Sequence, residues 1–225
     1  MINLIKQMAS NYARLKPSHM TGTFNLAIGE EWFRVTMTEA TVEVETGEDA
    51  SAFITLLMST ETFANLLSGT WTGLTAAGRE NIHQGAPMDF RLPPGAAVTP
   101  HLLQSIYHLG MHFFCTELPH VYRFGPEHTR KIHGGNATAL AYGPGVRFAY
   151  YTISGDEQVN DDETRDPMDQ FISIIGGEGV AIIEGREVEL CRGVALHIPP
   201  QATHVFRASP GSRLEMFWLA YGQGA

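Results

Sequence analysis

Apolar and polar residues alternate with two different periods over the first hundred residues. Near the amino terminus, apolar residues recur every three or four positions, at Ile5, Met8, Tyr12 and Leu15. This spacing predicts an amphipathic helix, which ends at Pro17. Alternation with a period of two between residues 24 and 44 then predicts three antiparallel strands. The apolar run from 52 to 58 does not alternate, and it predicts a strand covered on both faces.

The next segment combines helix and strand signals. Ser59 is a favourable N-cap residue before an apolar stripe, and Gly69 is suited to end that helix. Alternation over residues 88–92 predicts a final strand before a pair of prolines. Thr99 followed by Pro100 then predicts the start of another helix, which carries a broad apolar face and bridges the two halves of the chain near 100–115.

Beyond Pro119 the pattern changes to short strands separated by turns. Fourteen of the 23 glycines lie in this part of the chain, which is typical of a closed all-β barrel or sandwich. We therefore predict two domains: an α+β domain over 1–117, with helices on a mainly antiparallel sheet, and an all-β domain over 118–225. The strands predicted for the second domain are 137–142, 146–153, 170–175, 179–184 and 214–221.

Composition and charge limit the functional classes. The chain has 15 Lys and Arg against 24 Asp and Glu, a formal net charge of -9, so we expect no nucleic-acid or anionic-membrane partner. Cys115 and Cys191 are the only cysteines, which argues against a disulfide framework and favours a reducing, cytoplasmic compartment. No apolar run reaches the roughly 18 residues of a membrane span, and the first residues lack a signal-peptide pattern.

The first 95 residues resemble the sterol carrier protein 2 family in element order and in one local motif. The motif is the segment 66–71 (LLSGTW) leading into 73–77 (GLTAA), followed by the strand MDFRL at 88–92. The segment 79–82 (RENI) departs from the Gly-Lys-like start that the family usually has there. The resemblance implies an apolar tunnel that holds a fatty-acyl or sterol-like ligand. Its predicted lining residues are Phe63, Leu66, Leu67, Trp71, Met88 and Phe90.

Ordinary core packing is the alternative interpretation for each of these six side chains. Apolar residues at helix or strand spacing usually pack against one another rather than line a tunnel. The tunnel is therefore an implication of the resemblance, not of the spacing.

Residues 120–221 resemble the cupin family. The segment 193–204 (GVALHIPPQATH) has the spacing of that family's second signature: a glycine, five residues, a proline, and His204 five positions later. It departs from the signature at Gln201, where the family prefers Gly, and at Ala208, where Asn is usual. The resemblance implies a double-stranded β-barrel of the jelly-roll type for the second domain.

The first cupin signature is recognisable only in part, at 170–177 (QFISIIGG). The family uses a His-X-His pair, a Glu or Gln and a third His to bind iron, manganese, nickel, copper or zinc. Here the pair is missing, because one alignment puts Asp161 and Glu163 in its place and another puts Thr164 and Asp166 there. The remaining candidates for a divalent metal such as manganese, iron or zinc are Asp166, Gln170 and His204.

His204 has two other interpretations, as a hydrogen-bonding group for a ligand inside the barrel or as a core histidine. His197, in the preceding strand, could contribute to the same pocket. The run of acids from 161 to 169 is expected to be a solvated loop, because most charge runs are. His101, His108 and His112 share one face of the bridging helix with Gln104 and Ser105, which favours a polar, solvent-facing stripe over a metal site.

Three functions follow from these features. The leading hypothesis is a non-catalytic binder, with a hydrophobic small molecule in the first domain and a barrel that binds a second molecule or forms a homodimer. The second is a metal-dependent cupin enzyme, an oxygenase or isomerase, acting on a hydrophobic substrate. The third is a sensory or scaffold protein whose barrel pairs with another copy through edge strands. Bound metal would discriminate the second from the others.

Overall fold

The chain divides into two compact units that do not follow a single cut in the sequence. Gly78–Gln84 belongs with the C-terminal unit although the residues on both sides of it belong with the N-terminal one. The prediction of separable domains that meet at residues 117 and 118 stays a prediction. The two units comprise Met1–Ala77 with Gly85–Arg123, and Gly78–Gln84 with Phe124–Ala225. The computed structural model describes residues 1–81, 83–155, 157–161 and 163–225.

The N-terminal unit places helices and a five-stranded sheet around one core. The sheet order is β3-β2-β1-β4-β5, with β1 parallel to β4 and the other neighbours antiparallel. None of the helices in the described ranges is both long and apolar enough to cross a membrane. The elements are α1 (Ile2–Ala13), β1 (Gly22–Ile28), β2 (Glu31–Met37), β3 (Val42–Thr46), β4 (Ile54–Met58), α2 (Thr60–Leu67), α3 (Gly73–Ala77), β5 (Met88–Arg91) and α4 (Pro100–His112).

Capping residues define where α2 and α4 begin. The Ser59 hydroxyl accepts a hydrogen bond from the Thr62 backbone N–H at 3.0 Å, and Thr99 does the same for Leu102 at 3.2 Å. These bonds satisfy backbone donors that have no partner within the helix. Beyond α2, Gly69 has a φ of 72°, a conformation that favours glycine.

The C-terminal unit is mainly β, as the sequence predicts. Its first sheet has the order β13-β10-β15-β8-β7-β6 and its second β12-β11-β14-β9, with antiparallel pairing throughout. The strands are β6 (Arg130–Ile132), β7 (Gly135–Gly143), β8 (Val146–Ser154), β9 (Gln158–Val159), β10 (Asp169–Gly176), β11 (Glu178–Ile183), β12 (Arg186–Cys191), β13 (Ala195–Ile198), β14 (His204–Ala208) and β15 (Arg213–Tyr221).

Side chains from both sheets form a single core. Ile172 and Met216 from the first sheet belong to the same buried cluster as Ala181 and Phe206 from the second. The turn between β10 and β11 requires glycine at Gly177, where φ is 74° and an added Cβ would lie 1.7 Å from the Arg213 carbonyl oxygen. The two sheets therefore enclose a barrel-like interior, and this interior contains the candidate site.

Candidate functional site

A cavity of about 350 Å³ lies inside the C-terminal unit. This volume is at the lower end of the range for sites that hold small organic molecules, about 300–1,000 Å³. Apolar side chains make up part of the wall: Val159, Met168, Ile172, Phe206, Met216 and Trp218. The polar lining consists of His133, Tyr142, Arg147, Tyr151, Asn160, Thr164, Asp166, Gln170 and His204.

Strand alternation brings the central residues of the site together. On β10, Gln170 is 1% exposed and faces inward, whereas the next residue, Phe171, is 41% exposed and faces outward. Ile172 is paired with Trp218 on β15, so these two side chains lie side by side on the inner face. His204 begins β14 and contributes from the opposite sheet.

A chain of two hydrogen bonds fixes the orientation of the Gln170 amide. The Trp218 indole Nε1–H donates to Gln170 Oε1 at 2.6 Å, and Gln170 Nε2 donates to Asp166 Oδ2 at 2.9 Å. An indole nitrogen only donates, and a carboxylate only accepts. The amide therefore cannot be reversed, and it turns its N–H towards Asp166.

The tautomer of the His204 imidazole follows from its backbone contact. Nδ1 lies 2.9 Å from the carbonyl oxygen of Ala202, which only accepts, so Nδ1 carries a hydrogen. In the neutral ring Nε2 is then an acceptor. It is buried, has no hydrogen-bond partner, and lies 3.6 Å from Asp166 Oδ2. A buried polar atom without a partner costs roughly 1–3 kcal/mol, which makes this nitrogen a natural contact for a ligand.

Other polar side chains of the cavity supply donors. Burial, together with Tyr142 and Asp166 nearby, raises the pKa of Tyr151 above its ordinary value, so its hydroxyl keeps its proton. Arg147 also lines the cavity, and its Nη2 donates to the Gly224 carbonyl oxygen at 3.3 Å. Sequence reasoning missed both residues, although the alternation of the strand that contains them already indicated that Arg147 and Tyr151 share a face.

The three predicted metal ligands are neighbours, but they do not fit the cupin metal set. Asp166 and Gln170 are hydrogen-bonded to each other, and His204 is the one imidazole beside them. Gln170 Oε1 already accepts from Trp218. Within the described ranges, no group of three or more His, Cys, Asp or Glu side chains could hold a metal ion. One imidazole and one carboxylate do not replace the three imidazoles that the family's set requires.

The acidic loop and His197 have local partners. Asp161 Oδ1 accepts hydrogen bonds from the backbone N–H groups of Glu163 and Thr164, while Asp162 lies outside the described residues. His197 Nε2 lies 2.8 Å from Asp169 Oδ1, and both side chains are partly exposed. His197 is paired with the outward-facing Phe171 and is absent from the cavity lining, so it does not contribute to the pocket.

The six residues predicted to line a lipid tunnel lie in the core of the N-terminal unit. Phe63 and Leu66 are each 4% exposed and Met88 is fully buried. Leu67, Trp71 and Phe90 are partly buried and pack against the same cluster. The cavity beside Leu66 and Trp71 measures about 20 Å³, which is about the space of one water molecule. In this structure the six side chains pack as core.

The prediction of a polar, solvent-facing stripe on α4 is wrong for two of its three histidines and for Ser105, which is buried. His101 is exposed, but His108 and His112 are partly buried. The Tyr12 hydroxyl lies 2.9 Å from His108 Nδ1, and the Tyr122 hydroxyl lies 2.9 Å from His112 Nδ1. Both partners lie outside α4, Tyr12 96 residues before His108 and Tyr122 10 residues after His112, so the spacing within the helix did not reveal them.

Comparisons with known proteins give structural neighbours only. No protein-family profile matches the chain, and no curated protein matches it. A cupin superfamily protein from Desulfitobacterium hafniense is 21% identical, with 38% of this chain and 74% of that chain covered and a TM-score of 0.35. A cupin protein from Bacteroides fragilis is 20% identical, with 36% of this chain and 69% of that chain covered and a TM-score of 0.33. A predicted oxalate decarboxylase from Thermotoga maritima is 17% identical, with 39% of this chain and 79% of that chain covered and a TM-score of 0.36. The solved structures to which this chain is similar thus include cupins.

Proposed function

We propose that the C-terminal unit is a binding module that holds a small organic molecule in its barrel cavity. The observation that carries this proposal is the buried, unpartnered Nε2 of His204 in the wall of a 350 Å³ cavity. A core histidine without a ligand would be expected to bond through both ring nitrogens. The His204 ring bonds through Nδ1 alone, so a ligand would complete its hydrogen bonding.

The wall of the cavity suits a ligand that has both apolar and polar parts. Met168 and Met216 are flexible side chains that adapt to ligands of different shape. Tyr151 and Arg147 offer donors, whereas His204 and Asp166 offer acceptors. Such a mixture orients a molecule, because each of its polar groups can bind at only one part of the wall.

Two predictions from the sequence, the metal-dependent enzyme and lipid binding in the N-terminal unit, are not part of this proposal. A metal-dependent oxygenase or isomerase needs a ligand set that Asp166, Gln170 and His204 do not supply. Lipid binding in the N-terminal unit needs a tunnel, and an acyl chain would have to displace Phe63, Leu66 and Met88 from their packed positions.

A variant that fills the cavity tests the binding function. Ile172→Phe adds volume to the cavity wall, whereas Ile175→Phe makes the same change outside the cavity, on the same strand. Ligand-observed NMR with a mixture of small aromatic and aliphatic fragments measures binding to each full-length protein. We expect several fragments to bind the parent chain and the Ile175→Phe control, and to lose binding in Ile172→Phe. Equal binding to all three proteins would refute a site inside the barrel.

We also propose that the outer face of the first sheet forms a homodimer. Phe171 is 41% exposed and Tyr221 is 39% exposed, and they lie on the same face of the neighbouring strands β10 and β15. Exposed large apolar side chains grouped on a sheet face support a protein partner. Sedimentation velocity should give a dimer for the parent chain and a monomer for Phe171→Glu. A monomeric parent chain would exclude this proposal without affecting the cavity.

A further inference from the structure

Two hydrogen-bond acceptors stand side by side at the polar end of the barrel cavity. His204 Nε2 and Asp166 Oδ2 are 3.6 Å apart, which is longer than a hydrogen bond. We refer to these two atoms as the acceptor pair. Both residues line the cavity, and the Asp166 side chain is 30% exposed while that of His204 is 1% exposed.

The neighbouring side chains satisfy only one atom of the acceptor pair, Asp166 Oδ2, and leave His204 Nε2 without a donor. Gln170 Nε2 donates to Asp166 Oδ2 at 2.9 Å. Reversal of that amide is prevented by the Trp218 indole, as described above. The neutral imidazole cannot donate to Asp166 through Nε2, because its hydrogen is on Nδ1 and bonds to Ala202. His204 Nε2 therefore needs a donor from outside the protein, and the Asp166 carboxylate, which already accepts from Gln170, places a negative charge beside it.

The chemistry of the pair distinguishes between candidate ligand groups. A hydroxyl has one hydrogen, which can bond to His204 Nε2, but it brings no positive charge to the Asp166 carboxylate. A carboxylate has none, and Asp166 would repel it. A primary ammonium has three hydrogens and a positive charge, so it can bond to both atoms and form a charge-assisted hydrogen bond with the carboxylate. The aromatic side chains of Phe206 and Trp218 also line the cavity, and aromatic faces attract cations.

We propose that the barrel recognises a small primary amine, with its ammonium group held between His204 Nε2 and Asp166 Oδ2 and its apolar body against Met168, Phe206 and Trp218. This inference rests on the proposed binding function and names the ligand class for that site. The positive charge of Arg147, on a different strand of the lining, disfavours the opposite orientation of the amine.

Three probes of matched shape test the ligand class. These are 2-phenylethylamine, 2-phenylethanol and 3-phenylpropionate, titrated into the full-length chain at pH 7.5 and followed by calorimetry and ligand-observed NMR. We expect the amine to bind at least tenfold more tightly than the alcohol, and the carboxylate to bind most weakly. Asp166→Asn keeps the acceptor for Gln170 but removes the charge, and it should abolish the preference for the amine over the alcohol.

Glu163→Gln is the matched control, because it removes one negative charge from the same loop at an exposed position outside the cavity lining. It should leave the affinities for all three probes unchanged. Equal or tighter binding of the alcohol or the carboxylate would overturn the amine assignment while leaving the binding function intact. Loss of the amine preference in Glu163→Gln would overturn it as well, because the preference would then be a long-range charge effect. If no probe binds, the amine assignment fails, and the Ile172→Phe comparison decides the binding function separately.

Discussion

Acidification is expected to destabilise the N-terminal unit through the histidines of α4. Burial is the largest cause that lowers the pKa of His108 to about 4, and the positive charges of His112, His19 and Lys16 contribute to the same shift. The Tyr12 hydroxyl lies 2.9 Å from His108 Nδ1, so the neutral imidazole also has a hydrogen-bond partner. Burial likewise lowers the pKa values of His112 and His120.

The direction of the effect follows from proton linkage. The unfolded chain binds a proton at His108 below about pH 6.5, whereas the folded chain resists it until about pH 4. The contribution of His108 to the free energy of unfolding is therefore fully present above about pH 6.5, and it is lost as the pH decreases from about 6.5 to about 4. Between pH 7.5 and 5.0 this pKa difference corresponds to about 2 kcal/mol. His108 is only partly buried, and solvent screening reduces our expectation to about 1 kcal/mol.

Urea unfolding at pH 7.5 and pH 5.0, followed by circular dichroism at 222 nm, measures this loss. The signal reports the N-terminal unit because all the described α-helices lie there. The His108→Gln variant keeps a hydrogen-bonding side chain near Tyr12 but cannot take up a proton, so it should lose about 1 kcal/mol less than the parent chain between the two pH values. His101→Gln, at an exposed position of the same helix, is the control. The same pH dependence in all three proteins would refute the reasoning.

Three further outcomes are expected. Trp218→Phe removes the only donor to Gln170 Oε1 among the described residues and should lower the free energy of unfolding by about 1–3 kcal/mol; unchanged chemical denaturation would show that the amide finds another partner. Elemental analysis of protein purified without added metal should find far less than one equivalent, and a full equivalent of manganese or iron would contradict our interpretation of Asp166, Gln170 and His204. Organic extracts should lack stoichiometric lipid, because Phe63, Leu66 and Met88 are packed; an equimolar fatty-acyl or sterol ligand would show that this core opens.

Local signals in the sequence were sufficient for most elements. The caps at Ser59 and Thr99 act through bonds to residues three positions away, so a short window contains all the relevant information. The strands predicted over 170–175 and 214–221 likewise correspond to β10 and β15, which carry Gln170 and Trp218. The parallel pairing of β1 with β4 was not predicted, since it depends on a crossover between segments that a local pattern cannot specify.

The candidate site was predictable in part. The spacing of the second cupin signature identified His204, and the first signature identified Gln170. The orientation of the amide depends on Trp218, which is 48 residues further along the chain, and no spacing rule connects the two. The same limit explains the error at His108, whose partner Tyr12 is 96 residues away.

The short segment Gly78–Gln84 limits how the C-terminal unit can be produced as a separate fragment. Its Gly78 lies against Ile132, where an added Cβ would be 2.2 Å from the isoleucine Cδ1, and the Gly78 carbonyl oxygen accepts a hydrogen bond from Arg130 at 2.9 Å. Lys131 Nζ lies 3.5 Å from Glu80 Oε1. A fragment that begins at residue 118 would lack these contacts and expose the first strand of the barrel. Deletion of the amino-terminal half is therefore expected to destabilise the barrel. A related protein that has the barrel without this segment would need other residues to pack against β6.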